Sequence, residues 1–93
     1  MHGYQDFERF ARRTVADYVN EHLEEESPRL SPDDVFIAWY SKELQNHKAT
    51  LATPLADGMY YELTWNGSRQ EAYLDIYRKL ENRVVKPDLE EEE

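Results

Sequence analysis

Six consecutive apolar residues, Val35-Phe36-Ile37-Ala38-Trp39-Tyr40, constrain this chain more than any other feature. The run is far too short to cross a membrane as a helix, which takes about 20 residues. Its β-branched and aromatic side chains favour a strand, placed here at residues 35–41. Side chains of a strand alternate between its two faces. Val35, Ile37 and Trp39 therefore share one face, and Phe36, Ala38 and Tyr40 share the other. A strand with one solvated face normally carries polar groups there. The fold must cover both faces of this strand or leave one for a partner.

The flanking segments say what is available to cover it. Residues 4–23 have the helical period: Tyr4, Phe7, Phe10, Ala11, Thr14, Val15 and Tyr18 form one stripe, with Arg9, Arg13, Ala16 and Asn20 opposite. Glu8 with Arg12 and Arg13 with Asp17 are favourable four-apart pairs. Pro28 ends the helix, and Ser31-Pro32-Asp33-Asp34 has the order of a capped helical turn. Residues 48–53 and 59–65 read as two further strands. In the latter, Met59, Tyr61, Leu63 and Trp65 alternate with Tyr60, Glu62 and Thr64. Asp57-Gly58 is a turn dipeptide between them. Asn66-Gly67 suits a hairpin, but Ser68 and Glu71 fit a helix capping box better. Tyr73, Ile76, Tyr77, Leu80 and Val84 then predict a second amphipathic helix at about 69–85, stopped by Pro87. The expected fold is α+β: one two-layer domain over residues 1–87, in the order α-β-β-β-α, with a three-stranded antiparallel meander against two helices.

Charge and composition exclude several functions. The 93 residues carry 11 Lys plus Arg against 20 Asp plus Glu, a net charge of −9. Five of the acids lie in residues 88–93, expected to form a disordered acidic tail. Phosphate binding needs clustered cations, and only residues 69–87 are net basic. Cysteine is absent, which removes disulfides, thiolate metal sites and Cys nucleophiles. The N-terminus lacks the basic and apolar regions of a secretory signal, so a cytoplasmic location is expected. No phosphate loop, nucleophile elbow, zinc-protease helix or calcium-loop spacing occurs, and neither cofactor nor metal is expected. His47 is the best placed histidine for acid–base chemistry, but a general base needs an orienting partner and a pocket, and spacing puts neither Asp57 nor Glu62 beside it. The chain is read as having no enzymatic activity.

The richest segment is Trp39-Tyr40-Ser41-Lys42-Glu43-Leu44-Gln45-Asn46-His47-Lys48-Ala49, followed by Asp57-Gly58-Met59-Tyr60-Tyr61-Glu62 and Asn66-Gly67. With Tyr73 through Asn82 and the helix end Asn20-Glu21-His22-Leu23, this pattern resembles an uncharacterised family of short proteins of phages and prophages of Gram-positive bacteria. The resemblance spans most of residues 7–83. Tyr40-Ser41-Lys42 stands where the family pattern has Ser-Cys-Lys, which argues against thiol chemistry there. The resemblance implies a phage-type accessory protein and transfers no catalytic residue. A second resemblance, to double-stranded-RNA-binding domains, rests on the α-β-β-β-α order and on Gly67-Ser68-Arg69. Gln70 and Glu71 depart from the lysine that family prefers.

A protein-interaction module is therefore the leading expectation, with nucleic-acid binding the alternative. The expected partner surface comprises Phe36, Tyr40 and Tyr60 on the second sheet face, with Lys42, Gln45, Asn46 and Lys48 in a loop at 41–48. That surface also suits a homodimer. The alternative, of equal weight, is that Gln45 and Asn46 only satisfy the backbone of a long hairpin loop.

Overall fold

A computed structural model describes residue 1 and residues 3–88. Its elements run α-β-β-β-β: helix α1 (Tyr4–His22), a single 3-10 turn (Pro32–Asp34), then strands β1 (Phe36–Glu43), β2 (Asn46–Ala52), β3 (Met59–Asn66) and β4 (Glu71–Arg78). The strands form one antiparallel meander in the order β1-β2-β3-β4. The fold is α+β as expected, but with one helix and four strands.

α1 buries Phe7, Ala11, Val15, Ala16 and Val19 against β1, β2 and β3. Val35, Ala49, Leu51, Tyr61 and Leu63 complete the core from the sheet side. The buried stripe is rotated from the one expected, because the connection after the helix packs on its flank. Ala16 and Leu30 both lie in the core, and the Asn20 side-chain amide holds the Leu30 backbone, donating to its carbonyl at 2.9 Å and accepting from its amide at 2.7 Å. The expected pair Glu8–Arg12 forms at 2.6 Å. Glu24 to Glu26 lie beyond the helix end, where carboxylates oppose the dipole. The Arg29 guanidinium instead donates to the carbonyls of Asn20 and Glu24, placing a cation at the helix C-terminus. The turn at Ser31 is capped as its sequence indicates: Ser31 Oγ accepts from the Asp33 amide, and Asp34 accepts from the Ser31 amide.

Three expectations are corrected. The second helix is not formed: residues 71–78 are β4, and residues 79–88 form an exposed arm without helix or strand. Asn66 Oδ1 accepts from the amides of Ser68 and Arg69 at 3.1 Å each, and Gln70 takes a left-handed φ of 55°. This Asx-type turn closes a hairpin, and Glu71 opens a strand opposite Asn66 rather than capping a helix. Tyr73, Ile76 and Tyr77 match a helical period, but Ala72, Leu74 and Ile76 also alternate with Tyr73, Asp75 and Tyr77. Over eight residues both periods fit, and pairing with β3 selects the second.

The expected loop at 41–48 is a tight hairpin. Glu43 pairs with Asn46, leaving only Leu44 and Gln45 as the turn, with Leu44 at a left-handed φ of 58°. Strand β1 also does not alternate evenly. Its register against β2 shifts between Ile37 and Trp39, so Ala38 is an extra residue in a β-bulge. Ile37 and Tyr40 then face the helix, and Phe36 and Trp39 face away. Trp39 and Tyr40 have thus exchanged the faces that simple alternation assigns them. The acidic tail, apart from Asp88, lies outside the described residues.

Candidate functional site

The sheet has one covered face and one open face. In the open face, Phe36 is 49% exposed and Trp39 57%. Tyr60 and Tyr77 stand opposite each other on β3 and β4, with rings stacked 5.0 Å apart at 14°. Tyr73 pairs across from Thr64, and its hydroxyl bonds the Glu71 carboxylate. Among the described residues no helix packs on this side, and all five aromatic rings remain at least a third exposed.

Polar groups between the rings are mainly acidic. Lys48 pairs with Glu62 at 3.4 Å across β2 and β3. Asp75 continues the Trp39–Thr50–Glu62 row onto β4. The Glu62 carboxylate, followed by partial burial and Asp75, pushes the Tyr77 phenol above its ordinary range. The hydrogen bond to Glu71 does the same for Tyr73. A shallow depression of about 340 Å³ is lined by Trp39, Ser41, Glu43, Asn46, Lys48 and Thr64, with His47 also at its wall.

Behind this face lies a buried polar pair. His47 is 2% exposed and stacks on Phe7 at 5.0 Å and 15°. The Tyr40 hydroxyl is 2.6 Å from His47 Nδ1, and the Tyr40 ring packs on Tyr4 and Phe7 at 4.6 and 5.6 Å. Burial, then the Lys42 ammonium and the N-terminal amine, hold His47 below its ordinary pKa. Burial and the neighbouring Tyr4 raise the Tyr40 phenol. A protonated phenol facing a neutral imidazole satisfies both groups and gives the pair a packing role.

The seven expected partner residues therefore separate. Phe36, Lys48 and Tyr60 come together on the open face. Tyr40 is turned toward the helix by the bulge, and Lys42 pairs in register with buried His47. Gln45 and Asn46 join the two hairpin turns: Gln45 Nε2 donates to Ser68 Oγ at 2.7 Å, and Asn46 Oδ1 accepts from the Gly67 amide at 2.9 Å. A Cβ at Gly67 would overlap Gln45, so glycine is required by this close approach. These amides satisfy backbone and turn groups within the fold. Sequence reasoning missed Trp39, hidden by the bulge, and Tyr73 and Tyr77, assigned to a helix. The alternation of Tyr73 and Tyr77 with Ala72, Leu74 and Ile76 was the signal that finds the last two.

Among the described residues no three His, Asp or Glu side chains are grouped to hold a metal ion, and no helix is long and apolar enough to cross a membrane. No curated protein and no solved structure matches the chain. A family model described as a family of unknown function (DUF6275) matches residues 8–87, and the chain belongs to that family.

Proposed function

We propose that this protein is a non-enzymatic protein-interaction module that receives its partner on the open face of the sheet. The observation that carries this reading is the cluster of Phe36, Trp39, Tyr60, Tyr73 and Tyr77 on a face that no other element covers among the described residues. Tyrosine and tryptophan bury large areas at low entropic cost and dominate the energetic centres of protein interfaces. The carboxylates Glu62, Asp75 and Glu71 around them favour a partner with basic groups and disfavour a phosphate backbone. The resemblance to short phage and prophage proteins adds a context, that of a cytoplasmic accessory protein.

The reading as a double-stranded-RNA-type domain rested on a second helix beginning near Ser68. With β4 in that place, its motivating order is gone.

The test compares the wild-type chain with the double variant Trp39→Asp, Tyr60→Asp as bait in lysate of the source cells. Both positions face solvent, so circular dichroism should be unchanged. A protein retained by the wild type and lost by the variant supports the assignment. Retention that is absent, or equal for both baits, sinks it.

A further inference from the structure

The arm at residues 79–88 holds a Glu81–Arg83 ion pair of 2.7 Å, but its apolar side chains are exposed. Leu80 is 92% exposed, Val84 81% and Val85 79%. The radius of gyration is 16.6 Å, where a compact chain of this length has about 12 Å. The family match nonetheless runs through the arm to residue 87. The arm also differs in charge from the rest. Lys79, Arg83 and Lys86 against Glu81 give residues 79–86 a net +2, while residues 1–78 hold 8 basic and 14 acidic groups, a net −6. It continues directly from β4, whose outer edge is unpaired among the described residues because β4 ends the sheet. The backbone ladder already extends one step into the arm, through the Lys79 amide and the Gly58 carbonyl at 2.7 Å. An unpaired edge followed by an apolar, oppositely charged extension is the layout of a strand that completes itself on another chain.

We propose that the occupant of the β4 edge is a second copy of this chain. The two β4–arm segments pair antiparallel, so that each arm covers the free edge of the other copy's β4. Such a pair is related by a two-fold axis normal to the sheet, which keeps both open faces on one side and allows only residues of like parity to pair. Charge then selects the register. Centred on Lys79, the pairing sets two ammonium groups directly opposite each other, which is unfavourable. Centred on Leu80, it sets Lys79 opposite Glu81, Ile76 opposite Val84, and Tyr77 opposite Arg83, the last a ring and a guanidinium that attract. Leu80 meets its own copy at the axis. The dimer is one continuous eight-stranded sheet, and its two aromatic faces merge into one. This assembly uses the edge and the arm, so it stands whether or not the open face binds a partner.

Light scattering on the full chain tests it. The expected mass is twice 11.1 kDa. Leu80→Asp should raise the dissociation constant roughly a hundredfold or more, since two buried leucines are lost per dimer. Lys79→Glu and Glu81→Lys should each raise it roughly tenfold, and the two together should restore it to within about threefold. These side chains lie outside the core of the single subunit, where Glu81 makes only an exposed ion pair with Arg83, so every variant should keep the helix signal in circular dichroism, and those that dissociate should lose only the strand signal of the paired arms. Trp39→Asp with Tyr60→Asp should leave the mass at two chains. A wild-type mass of one chain overturns the proposal, as does a dimer that survives Leu80→Asp or one abolished only by the open-face variant. Failure of the paired charge reversal to restore association overturns the Leu80-centred pairing.

Discussion

His47 shows how a residue type that suggests chemistry becomes a structural part. Its ring is enclosed by Phe7 and Tyr40, and burial depresses its pKa. In the unfolded chain the imidazole titrates near the ordinary value of about 6.5. The unfolded state therefore binds a proton that the folded state refuses. The stability this buried neutral histidine supports is present above that pH and is lost as pH falls below it. Urea unfolding between about pH 7 and pH 5 should show a falling free energy, with a flatter slope in His47→Gln. Identical slopes in both proteins would show that His47 carries none of the dependence. Tyr60 could be placed on the open face from the sequence, because its strand alternates without interruption. His47 could not be placed, because its burial depends on Phe7, forty residues away in sequence.

At the scale of elements, the bulge in β1 explains both a failure of reading and a tolerance. Three of the strands were visible in the sequence, as were α1 and the capped turn at Ser31. The exchange of Trp39 and Tyr40 was not visible, because one surplus residue reverses every later assignment along the strand. The same surplus makes Ala38 expendable. Without it, Phe36, Ile37, Trp39 and Tyr40 still meet Ala52, Leu51, Thr50 and Ala49 in unbroken succession. Deleting Ala38 should therefore cost less than about 2 kcal/mol, whereas deleting Thr50 from the central strand β2 should cost more than about 4 kcal/mol. Chemical denaturation of the two deletion variants checks this; a larger loss for the Ala38 deletion would refute the bulge. β4 was misread for a different reason. Its helical and strand periods coincide over a short span, and the choice is made by a neighbouring strand that no local pattern records.

For the whole molecule, protection is graded across the sheet. β2 and β3 are paired on both sides and carry Ala49, Leu51, Tyr61 and Leu63 into the core. Their amides should exchange most slowly with deuterium, and those of Glu25 and Glu26 in the linker quickly. Residues 80–86 discriminate between assemblies: in the paired form their amides gain protection, and in Leu80→Asp they exchange at the rate of free chain. Equal, unprotected exchange in both would mean that the arm pairs with nothing. The α+β class was legible from the sequence because the apolar stripe of α1 and the alternation of β3 each fit one period over a long enough span. The arm's lack of cover was not, because Leu80 and Val84 have the same spacing whether or not anything lies against them.

The hydrogen bonds that join Gln45 with Ser68 and Asn46 with Gly67 also give the sheet a mechanical polarity. One margin is clasped, since sliding one hairpin past the other would break both bonds at once. Shear and twist are left to the opposite margin, where β4 runs out toward Leu80. A force applied there turns the sheet about its fastened end.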